Sequence, residues 1–179
     1  MSPSVVFSPC GFYRFFLKRE LSDSKKEIIF VGLNPSMATK DYEDNTLRRL
    51  KSYCYNWGYG TLHVVNLFAR IGRNPAELKR QLDPIGKENN HYLDNIICKW
   101  SENKLCDLWL GWGVKGHLMN RDVEVVKMLR PYLKKRVDSF VDVNGPMAIG
   151  ITKDGSPRHP LYVAKFEELK PIDLSVNFI

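Results

Sequence analysis

Residues 28–36 read Ile28-Ile29-Phe30-Val31-Gly32-Leu33-Asn34-Pro35-Ser36. Four consecutive β-branched or aromatic residues without polar alternation are the pattern of a strand buried on both faces, as in a parallel sheet. Gly32 and Pro35 then bracket an amide side chain where the strand leaves the sheet. Such a turn holds Asn34 at the mouth of a crevice, with backbone N–H groups facing the same space. The plainer alternative is that Asn34 only satisfies the backbone of a tight turn.

Working outward, the same kind of strand recurs. Leu62-His63-Val64-Val65-Asn66-Leu67 follows the stop Gly58-Tyr59-Gly60, Leu105 to Leu110 precedes Gly111-Trp112-Gly113, and Val137 to Val143 completes a set of four. Between them lie helical patterns. Leu47, Leu50 and Cys54 recur at helical spacing within 44–57. Leu93, Ile96, Ile97 and Trp100 form a stripe behind an N-cap expected at Asp83-Pro84. Val126, Leu129 and Leu133 share a face within 121–135. Alternating strands and helices predict an α/β fold with three α/β/α layers around a central, mostly parallel four-stranded sheet. Residues 4–8 and 12–18, separated by Pro9-Cys10-Gly11, read as an added N-terminal β-hairpin. The expectation is a single domain over 1–179, with the hairpin in 1–20 and the core in 27–163.

Composition narrows the classes. The 179 residues, 44% hydrophobic, suffice for a normal core and argue against disorder. No apolar run reaches membrane-spanning length, and no charged segment leads into an apolar one at the start. No membrane association and a cytoplasmic location are therefore expected. Cys10, Cys54, Cys98 and Cys106 include no Cys-x-x-Cys pair, so they read as buried free thiols, with no metal and no cofactor expected. The net charge of +7 makes a polyanionic partner such as DNA admissible. Asp41, Glu43 and Asp44 precede a helix and read as capping groups, and Lys134-Lys135-Arg136 as a solvated helix end.

Four residues stand where chemistry is expected. In an open α/β sheet ligands bind beyond the carboxyl ends of the strands, where Asn34, Asn66, Trp112 and His159 gather. Asn66 ends a buried strand. Its amide offers a donor and an acceptor side by side, which suits a pyrimidine edge, although capping of the next loop is an equal use. In Ser156-Pro157-Arg158-His159-Pro160-Leu161, two prolines restrict the backbone around one imidazole. His159 could then meet a leaving base or a phosphate, or serve the loop alone. His63, His91 and His117 lack such a setting and receive no role.

Together these pieces resemble the uracil-DNA glycosylase superfamily. The GLNPS of residues 32–36 is similar to the GxNPG motif of its mismatch-specific and single-strand-selective branches. HVVNL at 63–67 resembles the strand with the base-reading asparagine. The run from Arg73-Asn74-Pro75 through LWLGWG at 108–113 resembles the central helix and the following glycine strand. SPRHPL at 156–161 resembles the histidine–proline motif. The combination GLNPS, NLFA, LGWG and RHPLY is closest to an uncharacterised bacterial and phage family related to those enzymes.

The resemblance implies a monofunctional DNA base glycosylase. In that reading Asn34 positions the attacking water, and His159 stabilises the departing base or clamps a flanking phosphate. Asn66 reads the base edge within a pocket formed with Leu33, Pro35, Ser36 and the stacking ring of Tyr42. Trp112, Ser156 and Arg158 would face DNA, with Leu161 or Tyr162 as the wedge that replaces the flipped nucleotide. Single- or double-stranded DNA is the implied partner, and a monomer is expected. Ser36 departs from the family glycine and Arg158 from its small residues, so the pocket is open to a modified or bulky base. The alternatives are an enzyme acting on free or modified nucleotides through the same pocket, or a non-catalytic module binding DNA or protein.

Overall fold

The computed structural model describes residues 4–39, 42–72, 74–164 and 166–174. It is an α/β structure. The strands are β1 (Val5–Phe7), β2 (Arg14–Glu20), β3 (Glu27–Gly32), β4 (Thr61–Asn66), β5 (Cys106–Leu110), β6 (Met147–Ala148) and β7 (Lys170–Pro171). The helices are α1 (Asn45–Asn56), α2 (Asn89–Glu102) and α3 (Arg121–Ser139).

The strands form one sheet in the order β1-β2-β4-β3-β5-β6-β7. Its centre is parallel, because β3 pairs in parallel with both β4 and β5, and β5 with β6. The flanks are antiparallel, through β1 with β2, β2 with β4, and β6 with β7. The sheet is thus mixed and seven-stranded among the described residues, where the sequence predicts four mostly parallel strands. The hairpin does form. It does not stand beside the core but extends it, since β2 pairs with β4 from Leu17↔Val64 to Glu20↔Thr61.

Burial explains the layers. On one face Ile28, Phe30, Leu62, Val64 and Trp109 pack under Leu47, Leu50 and Cys54 of α1. On the other, Ile29, Val31, Val65, Leu108 and Leu110 meet Leu93, Ile97 and Trp100 of α2 and Val125, Val126 and Leu129 of α3. Consecutive residues of β3 from Ile28 to Val31 face opposite layers and find apolar partners in each, which is why this run carries no polar alternation; on β4 His63 is the exception, paired with Glu27 at 2.5 Å.

Four sequence expectations need correction. The N-cap expected at Asp83-Pro84 is a turn: Asp83 Oδ1 accepts the Gly86 N–H at 2.8 Å, Gly86 has φ +84°, and α2 begins only at Asn89. The strand expected at 137–143 is the end of α3 and an exposed loop. Val137 and Val141 are 52% and 76% exposed, so their β-branched shape has no sheet to pack on, and the fourth parallel strand is Met147–Ala148. Arg136, read as part of a solvated helix end, is fully buried. It donates to the carbonyls of Trp100, Asn103 and Asn144, tying the end of α2 to α3. The cysteines are free, and burial pushes the Cys106 thiol up to about 12; of the four expected to be buried, however, Cys10 is exposed and Cys98 only half-buried. Among the described residues no helix is long and apolar enough to cross a membrane.

Candidate functional site

A cavity of about 530 Å³ opens at the carboxyl ends of the parallel strands, on the α1 side of the sheet. Its inner wall is apolar and includes Leu17, Phe30, Leu47, Leu50 and Val64. The strand order arranges the polar residues in a row across its floor: β2 brings Arg14, β4 brings Asn66, the end of β3 brings Asn34, and the Gly113 side brings His159.

Asn66 is 4% exposed, yet its side chain makes no hydrogen bond with any described residue, and its amide atoms are not among the sealed, unpartnered ones. A buried amide needs partners, and here the cavity is the space that can supply them. Its backbone carbonyl is held separately by Asn89 Nδ2 at 3.0 Å, so the residue is fixed while its amide stays available. Gly32 makes room for it, since a Cβ there would lie 2.8 Å from Asn66 Oδ1 and 2.7 Å from Phe30 Cε1.

Asn34 divides its amide between structure and cavity. Nδ2 donates to the carbonyls of Gly72 at 2.9 Å and Pro35 at 3.2 Å, so the turn-satisfying role is real. Carbonyls accept only, which fixes the amide orientation and leaves Oδ1 as an acceptor with no partner among the described residues. Pro35 itself is buried behind this turn and accepts the Gly72 N–H at 3.0 Å; it does not line the cavity.

His159 is partly buried and caps the short 3₁₀ turn Pro160–Tyr162, with Nδ1 accepting the Leu161 N–H at 3.3 Å. Burial pushes the imidazole down to about 4, so the ring is neutral at pH 7. A neutral ring whose Nδ1 accepts carries its proton on Nε2. Gly113, at φ +70°, brings the β5 turn against it: a Cβ there would sit 3.4 Å from His159 Cβ.

The other residues expected at the site divide. Leu33 and Ser36 line the cavity, and Arg158, Leu161 and Tyr162 lie at its rim. Leu161 is 41% and Tyr162 84% exposed, on a segment held to α1 by Arg49, which donates to the Pro160 and Val163 carbonyls, and by Tyr53, which donates to Ala164. Tyr42 is exposed and outside the lining, so the structure does not bring its ring to the cavity. Trp112 and Ser156 are corrections. Both are buried, so neither side chain offers surface to DNA outside the cavity. Trp112 forms part of the cavity wall. Ser156 Oγ lies 3.1 Å from His117 Nε2, and His117 Nδ1 lies 2.6 Å from Asp122. This Ser–His–Asp set looks nucleophilic on paper, but a sealed hydroxyl cannot attack a substrate. It pins the loop that leads into His159 onto the start of α3, a role that the sequence reading withheld from His117.

Two more lining residues escaped the sequence reading. Asp44 does cap α1, accepting the Leu47 N–H at 2.8 Å, but it also accepts from Ala38 N at 2.9 Å and from the Ser36 hydroxyl. It therefore ties Ser36 and Ala38 to the start of the helix. Glu43 pairs with Lys51 at 2.6 Å, and Asp41 lies outside the described residues, as does Arg73. Arg14 is 4% exposed and reaches the same segment, Nη1 donating to the Ala38 carbonyl at 2.6 Å.

Residues 14–161 match the family described as a protein of unknown function (DUF1643). No curated protein and no solved structure matches the chain.

Proposed function

Since the chain belongs to the DUF1643 family, a description that assigns no chemistry, we propose from its own geometry that it is a base glycosylase, hydrolysing the bond between a flipped DNA base and its sugar. The observation that carries this reading is the convergence of Asn34, Asn66 and His159 on one cavity at the ends of β3 and β4, with the Asn66 amide unpartnered inside it. The parallel strand order β4-β3-β5-β6 at the centre of the sheet suits the resemblance to the uracil-DNA glycosylase superfamily.

The chemistry follows from these residue types. The base enters with its edge against Asn66, whose donor and acceptor match a donor–acceptor pair on the ring. Asn34 Oδ1 accepts a hydrogen bond from a water and holds it toward C1′ of the sugar. The carbon–nitrogen bond breaks as the sugar becomes oxocarbenium-like, and the bonding pair leaves with the base. Water oxygen then bonds to C1′ and its proton passes to solvent. An amide cannot deprotonate that water, so the barrier is lowered mainly by stabilising the leaving base. The His159 Nε2–H supplies a neutral donor for that charge; with the ring titrating near 4 it does not act as an imidazolium acid at pH 7.

The rim fits the same account. Arg158 and Lys115 at the cavity opening place positive charge where a flipped nucleotide's phosphates would lie. The exposed Leu161 and Tyr162 offer apolar surface to fill the vacated stack, offsetting part of the few kcal/mol that flipping costs.

The test is incubation with oligonucleotides carrying uracil, thymine mismatches, hypoxanthine, xanthine or 5-substituted cytosines, single- and double-stranded, with alkali to reveal abasic sites. Release from one substrate, lost in Asn34→Ala and His159→Ala, is expected. No release from any substrate by folded protein would move the assignment to a nucleotide enzyme or a binding module.

A further inference from the structure

Arg14 is a charge that base release leaves unused. Its position has a local cause. Along β1 and β2, Val6 pairs with Phe16 but Phe7 pairs with Arg14, so Phe15 is an extra residue in β2. This is a β-bulge, which re-aims the side chains beyond it. Phe15 and Phe16 consequently both turn toward the α2 side, Phe15 stacking on Tyr92 with centroids 5.1 Å apart and Phe16 packing against that core. Arg14 and Leu17 both turn the other way, into the cavity. Without the bulge, Arg14 would share the face of Phe16.

The guanidinium arrives there incompletely satisfied. Nη1 donates to the Ala38 carbonyl, while Nε is buried without a partner. Asp44, the carboxylate that supports its charge, spends its oxygens on Ser36, Ala38 and Leu47. Burial lowers the group to about 10, so it remains charged at neutral pH. A buried cation in a largely apolar cavity is costly unless something pairs with it. Its place in the row is also informative: β2 lies one strand beyond β4 and Asn66, on the side away from His159.

We propose that the ligand of this cavity carries an anionic group, carboxylate or phosphate, about 5 Å beyond the base edge read by Asn66, one strand spacing away, where it pairs with the Arg14 guanidinium. This rests on the reading of the cavity as a nucleobase site, and names what distinguishes its ligand from an unmodified base. Two sources share the chemistry: an acid-ended substituent on a base within DNA, and the phosphate of a free nucleotide.

The experiment has one arm for each. In the first, an oligonucleotide containing 5-(2-carboxyethyl)uracil is compared with its carboxamide by anisotropy, using Asn34→Ala to prevent turnover. In the second, uridine monophosphate is compared with uridine by calorimetry on the wild-type protein. The anionic member is expected to bind at least tenfold tighter in one arm, with the preference abolished in Arg14→Met and partly kept in Arg14→Lys. A preference in the first arm identifies a modified DNA base, and in the second a nucleotide. Equal binding of charged and neutral members in both arms, binding in neither, or a preference that survives in Arg14→Met overturns the inference. Should Arg14→Met not fold, the wild-type comparison and Arg14→Lys still decide. Base release without charge preference would leave the glycosylase reading standing and this inference refuted; charge preference without base release would do the reverse.

Discussion

The backbone N–H of Leu161 donates to Nδ1 of His159 at 3.3 Å, which leaves the proton of the neutral imidazole on Nε2. The same contact joins the ring to the exposed segment that follows it, so protonation of Nδ1 would break the cap and disturb the rim together.

A pH dependence follows. The folded imidazole titrates near 4, below its ordinary 6.5, because burial disfavours the cation. Between those values the unfolded chain binds a proton that the folded chain refuses, so folding stability rises with pH across that window. Full stability is expected above about pH 6.5 and progressive loss down to about pH 4. Melting temperatures from pH 3.5 to 8 should show a slope in wild type that His159→Gln reduces; equal slopes in the two proteins would remove His159 as the cause.

Asn66 should show its role by what its loss leaves intact. Its amide has no bond to the described protein, so Asn66→Ala should cost less than the roughly 1–3 kcal/mol that follows loss of a paired buried polar group. Ligand binding should nevertheless fall about tenfold to a hundredfold, the loss of one or two hydrogen bonds to the base. A melting temperature several degrees lower, with binding unchanged, would make Asn66 a structural residue.

Asp44 is the opposite case. Three donors converge on it, from Ser36, Ala38 and the first turn of α1. Asp44→Ala should cost about 1–2 kcal/mol in chemical denaturation, the range for a lost helix cap, and Asp44→Asn should recover part of it.

On the proposed reading, Leu161 and Tyr162 would fill a vacated stack only where a stack exists. Replacing both with alanine should slow release from duplex DNA more than from single strands, since unstacking is required only in the duplex. Equal losses on the two substrates, in paired single-turnover assays, would assign the residues to general binding.

Much of the centre of the fold was legible. The apolar run of β3 and the asparagine ending β4 report their own burial, because a strand covered on both faces has no room for polar alternation. Asn34, Asn66 and His159 follow from strand ends, where the connectivity of an α/β sheet gathers residues distant in sequence. What stayed hidden depends on registers that no local pattern encodes. The extra residue at Phe15 turns Arg14 into the cavity, yet RFFLK reads as an ordinary strand. His117 gains its role only from loop 152–157, nearly forty positions later. The valines near 140 look like a strand because β propensity reflects packing against neighbours, and none stands beside them.

The most direct test of the central claim is mass-spectrometric detection of free base under single-turnover conditions. Protein is taken in excess over oligonucleotide, using the substrate that gives alkali-labile sites. The account predicts equal molar amounts of released base and abasic strand from wild type, and neither product from Asn34→Ala protein shown by circular dichroism to be folded at the assay temperature. Strand cleavage without free base, or undiminished release by Asn34→Ala, would contradict it.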